Sequence, residues 1–275
     1  MIYIESPWTD PYTNLSLEEY MLTGFEDEVF MLWRNDKSVI IGRNQNTLSE
    51  INTDYVREKG IAVVRRLTGG GAVFHDLGNL NFSFMVKNEH GLFSDFHRFT
   101  APIVEALRSY GLDAGFDGRN DITIGGLKVS GNAQTIYKGR FLHHGTLLFN
   151  VDFSDLAAAL NVDSRKISSK GIRSVQKRVT NISEHADIPI QEFMSKIMTG
   201  KLYELNEKDI TAVMKLRGEK YSTWEWNYGY SPKYSYRNGI HTKGGIVEVY
   251  MDVNGGIITG IKFYGDFFAA ATLQR

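Results

Sequence analysis

The sequence predicts an α+β fold, built on a mixed, mainly antiparallel β-sheet with flanking helices. Two observations support this prediction. Three pairs of β-rich runs are each joined by a short glycine-containing turn, at residues 125–126, 138–139 and 254–256, which is the pattern of β-hairpins. Segments with helical periodicity lie between these runs, and strands joined by hairpins and interspersed with helices are typical of the α+β class.

The elements predicted for the N-terminal third alternate between helix and strand. Asn14 is expected to cap the first helix, because apolar residues at helical spacing begin directly after it. Gly60 is expected to end a short helix, since glycine is common just after a helix. The predicted elements are a helix from Asn14, strands at 29–33 and 38–41, a helix at 54–59 and a strand at 61–64.

The remaining two thirds are predicted to hold three helices and the hairpin strands. The aromatic segment 221–236 is expected to be a boundary segment packed on the main domain. The predicted helices are residues 96–110, 154–160 and 207–216. The predicted strands are residues 80–86, 121–124, 127–130, 135–137, 141–149, 246–253 and 257–263.

Composition and charge exclude several classes of function. The 275 residues are 42% hydrophobic and 23% charged, which is an ordinary globular composition. The formal net charge of −1 gives no overall field for nucleic acid or an anionic membrane, so neither is expected as a partner. The chain has no cysteine, which excludes disulfides, thiolate metal sites and a cysteine nucleophile. It has neither a signal-peptide pattern nor a membrane-spanning apolar run, so we expect a cytoplasmic protein. We also expect it to be a monomer.

The sharpest local feature is a run of three glycines at residues 69–71, which follows Arg65 and Arg66. Consecutive glycines are costly to order, so a fold keeps them where the backbone needs a positive φ or passes close to another group. Arginine binds phosphate and carboxylate oxygens bidentately, which favours an anion-binding loop. An exposed turn with two solvated arginines is the alternative interpretation.

Other common nucleotide-binding and hydrolase motifs are absent. The P-loop motif G-x-x-x-x-G-K-[ST] does not occur, and Phe74 stands where the third glycine of a Rossmann G-x-G-x-x-G motif belongs. Neither H-E-x-x-H nor G-x-S-x-G is present, so a metal hydrolase or a serine hydrolase has no motif to support it.

Lys128 is the second candidate. Strand alternation places it opposite the face that four apolar neighbours are expected to turn toward the core, namely Ile122, Ile124, Leu127 and Val129. The neighbourhood is rich in glycine and poor in competing carboxylates, so the ammonium is predicted to lie on a phosphate or a developing oxyanion. A solvated lysine is the alternative.

Three further features remain ambiguous from the residues alone. Asp121 either holds Mg²⁺ between nucleotide phosphates or caps a turn. His143 and His144 occupy successive strand positions, so they point to opposite faces, and one is expected to line a pocket or satisfy a core hydrogen bond. The segment 165–178 has six basic residues and no acidic one, which fits either a solvated loop or a mobile basic loop that closes over a phosphorylated intermediate or docks an acidic partner.

Five ordered segments carry a resemblance to a known family. The first is RRLTGGGAVFHDLGN at residues 65–79, and the others lie at residues 120–122, 128–133, 143–148 and 170–181. Together they resemble the lipoate–protein ligase A family, within the biotin/lipoate protein ligase superfamily. The similarity covers nearly the whole chain in the correct order.

The resemblance implies the biotin/lipoate ligase fold, which is similar to that of class II synthetases. Residues 1–240 would form the catalytic domain. Residues 241–275 would form the start of a small C-terminal accessory domain that is expected to be truncated, because the tail at 269–275 does not read like its continuation.

The resemblance also implies a two-step reaction. ATP, with Mg²⁺, would activate free lipoate or octanoate as an acyl-adenylate. A lysine amine would then attack this intermediate, either on a lipoyl domain of a 2-oxoacid dehydrogenase E2 subunit or on the glycine-cleavage H protein. Several negative charges meet in such a reaction, so fixed cations and N–H donors should dominate catalysis.

The site residues of the family carry over by position. Lys128 would be catalytic and would bridge the acyl carbonyl and the α-phosphate, Asp121 would hold Mg²⁺, and the segment 170–178 would order over the adenylate. The residues implied to bind ATP or the adenylate are Arg66, Gly71, Ala72, Val73, Phe74, Asp121 and Lys128. The residues implied to bind lipoate are Arg65, Gly70, Gly71, His75, Lys128, Gly131, Ala133 and His144.

Three alternative functions are weighed against this one. Octanoyl or lipoyl transferases that work without ATP share the fold, but one group uses a cysteine, which this chain lacks, and the other typically lacks the Arg-Arg-x-[ST]-Gly-Gly-Gly segment. The Gly-Arg-Gly-Arg-type loop of biotin–protein ligases is also absent. A non-catalytic module that binds an acylated carrier is the alternative from another class, and the presence of Arg66 and Lys128 argues against it.

Overall fold

The computed structural model describes residues 1–89, 91–118, 120–160, 179–243 and 245–266, and the backbone of Ile167–Ser169. The helices are α1 Pro11–Gly24, α2 Thr53–Glu58, α3 Phe96–Arg108, α4 Phe153–Ala159, α5 Ile190–Ile197 and α6 Glu207–Leu216. The strands are β1 Ile2–Glu5, β2 Val29–Trp33, β3 Ser38–Ile41, β4 Ala62–Arg65, β5 Val73–His75, β6 Asn79–Lys87, β7 Ala114–Asp117, β8 Asp121–Ile124, β9 Leu127–Tyr137, β10 Arg140–Leu148, β11 Ile167–Ser169, β12 Tyr234–Thr242, β13 Gly245–Asn254 and β14 Ile257–Gly265.

The predicted α+β class is confirmed by the arrangement of three sheets and their helices. The main sheet has seven strands in the order β1-β2-β6-β10-β9-β8-β7, and a second sheet has three strands in the order β4-β3-β5. In the main sheet β1 and β2 are parallel and the other pairs are antiparallel. Both faces of the main sheet are buried, one in a cluster with α1 and the other in a cluster with α3 and α5.

The three predicted hairpin turns are all present. Gly125 and Gly126 have φ values of 54° and 80°, and Lys138 and Gly139 have φ values of 47° and 79°. In the third turn, Gly255 and Gly256 have φ values of 55° and 76°. Turns with two positive φ values match the right-handed twist of the flanking strands, which explains why glycine marks each of them.

The first helix begins earlier than predicted. Its N-cap is Asp10, whose carboxylate accepts a hydrogen bond of 2.9 Å from the Thr13 backbone N–H, and Pro11 occupies the first helical position. Asn14 is therefore not the cap. It is buried inside the first turn, where its amide donates to the backbone carbonyls of Trp8 and Arg34 at 3.0 and 2.9 Å.

The predicted strands at 29–33 and 38–41 are confirmed, but they belong to different sheets. β2 pairs with β1 and β6 in the main sheet, whereas β3 pairs with β4 and β5. The glycine-rich segment at 66–72 connects β4 to β5. It therefore lies at the end of the small sheet, next to the main one.

The C-terminal part forms a separate antiparallel sheet of β12, β13 and β14, with β11 at its edge. The predicted domain boundary at residue 240 falls inside β12, so this sheet begins earlier, at Tyr234. The predicted aromatic boundary segment does pack on the main domain, where Tyr221 is fully buried. The tail at 269–275 lies outside the described residues. None of the helices that the structure describes is long and apolar enough to span a membrane.

Candidate functional site

A β-bulge between β8 and β9 decides which way Lys128 points. Asp121 pairs with Gly131, and the register then shifts so that Thr123 pairs with Lys128. Paired residues point to the same face, so the extra residue in β9 turns Lys128 to the face of Asp121 and Gly131. Without the bulge, Lys128 and Gly131 would point to opposite faces.

This face of the main sheet, which we call the site face, continues across three strands. Ala133 of β9 pairs with His144 of β10, which pairs with Ser83 of β6. Gly131 and Ala133 lie two residues apart on the same face, about 7 Å along the strand. The register and the bulge therefore bring Lys128, Gly131, Ala133 and His144 onto one surface, four residues that the resemblance implied to bind lipoate.

Lys128 is not free of carboxylates, contrary to the prediction. Its Nζ lies 3.0 Å from an Asp121 carboxylate oxygen, and the two side chains are 26% and 3% exposed. A Cβ added to Gly131 would lie 3.1 Å from the same Nζ, so this glycine leaves room for the ammonium. The chain also returns here, because Val179 bridges Lys128 and the Thr180 N–H donates to the Lys128 carbonyl at 3.0 Å.

Arg66 holds the glycine-rich segment in shape. Its guanidinium donates to the backbone carbonyls of Ile40, Gly69 and Gly71 at 3.1, 2.7 and 2.8 Å. Burial lowers the pKa of Arg66 to about 10, so it remains a cation at neutral pH. The interpretation as an exposed turn with two solvated arginines is therefore wrong.

A close approach of two backbones explains part of the glycine content. Gly70 has a φ of 95°, and a Cβ added to Gly42 would lie 2.0 Å from the Gly70 carbonyl oxygen. No side chain fits there, and the contact fixes the outer edge of the glycine-rich segment.

Arg65 does not have the lipoate-binding position that the resemblance implied. Its side chain is fully buried and donates to three backbone carbonyls in residues 42–45 and to the carbonyls of Trp226 and Asn227. Thr47 and Ser231 accept further bonds from it at 2.7 and 3.1 Å. All of these contacts are within the protein, so Arg65 joins the loop after β3 to the segment that leads to the C-terminal sheet.

Residues 72–74 of the signature do not share one environment. The side chains of Ala72 and Phe74 are buried in the core under the small sheet, whereas Val73 packs against the cluster around α1. A nucleotide contact at Phe74 is therefore limited to its backbone.

A chain of hydrogen bonds links the glycine-rich segment to the site face. Arg66 Nε donates to Thr68 Oγ1 at 2.9 Å, and Thr68 Oγ1 lies 2.7 Å from His144 Nε2. His144 Nδ1 lies 2.9 Å from Glu18 Oε1, which also accepts a bond of 2.6 Å from Ser83. A carboxylate only accepts, so His144 donates from Nδ1, and in the neutral ring Nε2 is the acceptor for the Thr68 hydroxyl.

The sequence analysis missed Glu18 and Thr68 as site residues. Glu18 lies among apolar residues of α1 and is completely buried. A charged residue among the apolar positions of a helix is the sequence signal that could have identified it. Thr68 was noticed only as part of the family signature, because its partner His144 lies 76 residues away in sequence.

His143 points away from the site face, as predicted from strand alternation. Its ring stacks on Phe99 with centroids 5.0 Å apart, and Gln134 and Asn132 contact its two nitrogens at 3.1 and 3.2 Å. Burial lowers its pKa to about 3, so it is a neutral core residue. It satisfies a core hydrogen bond, one of the two roles predicted for this histidine pair.

The His75 ring packs edge-on against the Trp33 ring, with the ring centroids 5.9 Å apart. Asn35 Nδ2 contacts His75 Nδ1 at 3.2 Å. Burial is the main cause that lowers the pKa of His75 to about 3, and Arg66 and His144 lower it further. His75 is therefore a neutral imidazole.

The residues near Lys128 are compatible with a magnesium ion held largely by a substrate. The described part of the chain contains no cluster of three or more His, Cys, Asp or Glu side chains that could hold a metal. Mg²⁺ is usually bound through one or two carboxylates together with substrate phosphates, and Asp121 supplies one such carboxylate. The basic segment 165–178 lies outside the described residues, apart from the backbone of β11.

Comparison with known proteins identifies the family of this chain. Residues 10–200 match the lipoyl protein ligase A/B catalytic domain, and residues 231–275 match the bacterial lipoate protein ligase C-terminus. A lipoate-protein ligase of Bacillus subtilis, LplJ, is 44% identical over 100% of this chain and 88% of the relative.

Two solved structures are similar in fold as well as sequence. The bi-partite lipoate protein ligase of Thermoplasma acidophilum, studied with its E2 lipoyl domain, has a TM-score of 0.72 and 30% identity, over 83% of this chain and 96% of that one. A lipoate-protein ligase A bound with ATP has a TM-score of 0.71 and 31% identity, over 83% of this chain and 98% of that one. The chain is therefore a ligase that belongs to the lipoate–protein ligase family.

Proposed function

We propose that this chain activates free lipoate, or octanoate, with ATP as an acyl-adenylate and transfers the acyl group to a lysine of a lipoyl domain. One observation carries the proposal: Lys128 and the glycine-rich segment lie over the same face of the main sheet, because His144 pairs with Ala133 on that face and contacts Thr68. A cation and a loop of backbone N–H groups are thereby brought to the same surface.

Lys128 is suited to hold two ligand oxygens at once. An ammonium has three N–H donors, and one of them is used by Asp121. The remaining two can bind an oxygen of the acyl carboxylate and an oxygen of the α-phosphate, which lowers the repulsion between them as the anhydride forms. Asp121 is buried and Lys128 is partly exposed, so Asp121 fixes the direction of the ammonium.

Arg66 contributes by holding the glycine-rich segment in shape. It binds the carbonyls of Gly69 and Gly71, so it holds the carbonyls inward and leaves backbone N–H groups for a nucleotide phosphate. Gly71, Ala72, Val73 and Phe74 would contact ATP through their backbone. Mg²⁺, held by Asp121 and phosphate oxygens, would neutralise phosphate charge.

The residues expected to bind lipoate lie along the same surface. Gly70, Gly131, Ala133, His75 and His144 would line the lipoate slot. The acceptor lysine belongs to a lipoyl domain, the class of partner studied with the Thermoplasma acidophilum ligase, and the glycine-cleavage H protein is a second candidate. A monomer in the cytoplasm remains our prediction.

Exchange of radiolabelled pyrophosphate into ATP tests the first step. We expect exchange that depends on lipoate, and Lys128→Ala should reduce it by about a thousandfold, because the charge that binds both oxygens is lost. The matched control is Lys215→Ala, which removes an exposed lysine of α6 paired only weakly with Glu219 at 3.9 Å. Full exchange in folded Lys128→Ala protein, or no exchange in the wild type, would refute the proposal.

A further inference from the structure

Six buried polar atoms have no hydrogen-bond partner among the described residues, and four of them lie on the site face or against it: His75 Nε2, Asn79 Oδ1, Asn81 Nδ2 and Glu18 Oε2. Asn81 is two residues before Ser83 on β6 and points to the same face, and it pairs with Trp33. Buried polar atoms without a partner are costly, and several of them in one place indicate a site that a ligand completes.

The hydrogen bonds behind His75 determine which of its nitrogens carries the proton. Asn14 Nδ2 is identified by its bonds to the carbonyls of Trp8 and Arg34. The Asn35 atom 2.8 Å from this nitrogen is the oxygen Oδ1, because two NH2 groups would repel each other at that distance, and one of the two Asn14 N–H groups is shared between Oδ1 and a carbonyl. The other end of the Asn35 amide is therefore Nδ2, which donates to His75 Nδ1 at 3.2 Å.

A neutral imidazole has one N–H and one acceptor nitrogen, and the partner at one nitrogen decides the state of the other. Since His75 Nδ1 accepts, the proton is on Nε2, the atom that has no partner. Burial and the nearby Arg66 keep the ring neutral. The chain from two backbone carbonyls through Asn14 and Asn35 thus turns His75 into a donor.

We propose that Asn35, oriented by Asn14, is a positioning residue that sets His75 as the Nε2–H tautomer, so that the site donates a hydrogen bond to an anionic oxygen of its ligand. The identity of that ligand rests on the proposed function, as either a carboxylate oxygen of the acyl substrate or a phosphate oxygen of ATP. The tautomer itself is a property of the protein without ligand.

Nitrogen-15 NMR of the histidine side chains tests the tautomer directly. We expect wild-type His75 to report Nε2–H at pH 7, with its resonance assigned by comparison with His75→Gln. In Asn35→Asp the carboxylate still accepts from Asn14, but it also accepts from His75, so the proton should move to Nδ1. An Nδ1–H or imidazolium form in the wild type would overturn the proposal without the use of any Asn35 variant.

Calorimetric titration of lipoate and of ATP, each alone, tests the consequence. Asn35→Asp should weaken one of the two by about tenfold, the loss expected for one hydrogen bond to a charged oxygen. A loss confined to lipoate assigns the carboxylate oxygen, and a loss confined to ATP assigns a phosphate oxygen. If the tautomer changes while both affinities stay at the wild-type value, the proposal is wrong.

A double-mutant cycle separates this role from general damage. In His75→Gln the tautomer no longer exists, so adding Asn35→Asp should cause no further loss of affinity. Additive losses would show that Asn35 acts by another route. The outcome is distinguishable from failure of the proposed function, because a wild type without lipoate-dependent exchange can still show the Nε2–H tautomer and the affinity change.

Discussion

The two faces of the main sheet differ most clearly at adjacent residues of β10. His144 lies on the site face in a chain of polar contacts that includes Glu18 and Thr68. His143 lies on the opposite face, which we call the core face, against the rings of Phe82 and Phe99. The same residue type therefore joins a polar network on one face and packs among rings on the other, and the neighbours on each face decide which.

The largest difference between the faces should appear when two glycines are given a side chain. A Cβ on Gly145 would lie 2.1 Å from Asn132 Oδ1 and 2.5 Å from Phe82 Cζ on the core face, so Gly145→Ala should reduce the free energy of unfolding by about 3 kcal/mol. A Cβ on Gly131 would meet the flexible end of Lys128 at 3.1 Å.

Gly131→Ala should therefore fold almost normally but lose about a hundredfold in lipoate-dependent exchange, because a shift of about 1 Å in a catalytic group has that effect. Urea denaturation and pyrophosphate exchange on both variants check the pair. Equal losses of stability would contradict the distinction between the two faces.

The histidines themselves provide a smaller test. His144→Phe leaves the buried Glu18 carboxylate without one of its partners and releases Thr68, so we expect a loss of about 2 kcal/mol in stability and about tenfold in exchange. His143→Phe keeps an aromatic ring against Phe99 and should cost about 1 kcal/mol with exchange nearly unchanged. A stronger loss of exchange in His143→Phe would reverse the assignment.

The two faces should differ least in their response to acid, because a buried neutral histidine lies against each of them. The pKa values of His75 and His143 are lowered to about 3, against about 6.5 in an unfolded chain. Between these values the unfolded state binds more protons, so stability is complete above about pH 6.5 and falls as the pH decreases toward 3. Near pH 5 each histidine should contribute about 1.4 kcal/mol per pH unit.

Urea denaturation between pH 4.5 and 6.5 measures this slope. His143→Phe should remove about half of the histidine contribution, since one of the two depressed groups is gone. An unchanged slope would show that His143 is not the neutral core residue that the structure describes.

Local signals in the sequence were sufficient for several elements. The helix predicted at 207–216 has those bounds, because Asn206 caps its N-terminus through bonds to the Lys208 and Asp209 N–H groups. The glycine turns were located for a similar reason, since positive φ values select glycine locally. The cap at Asn14 was wrong because Asp10 followed by Pro11 is a stronger start signal, and the tertiary contacts of Asn14 use its amide elsewhere.

The sequence by itself determined the fold class, the turns, the family signature and the opposite orientation of His143 and His144, since these depend on residue type and strand period. Only the tertiary structure decided that Lys128 shares a face with Gly131, that Asp121 pairs with it, and that Arg65 is enclosed by protein. The physical reason is that a bulge, an ion pair across strands and a buried guanidinium depend on partners that come close only when the strands are in register.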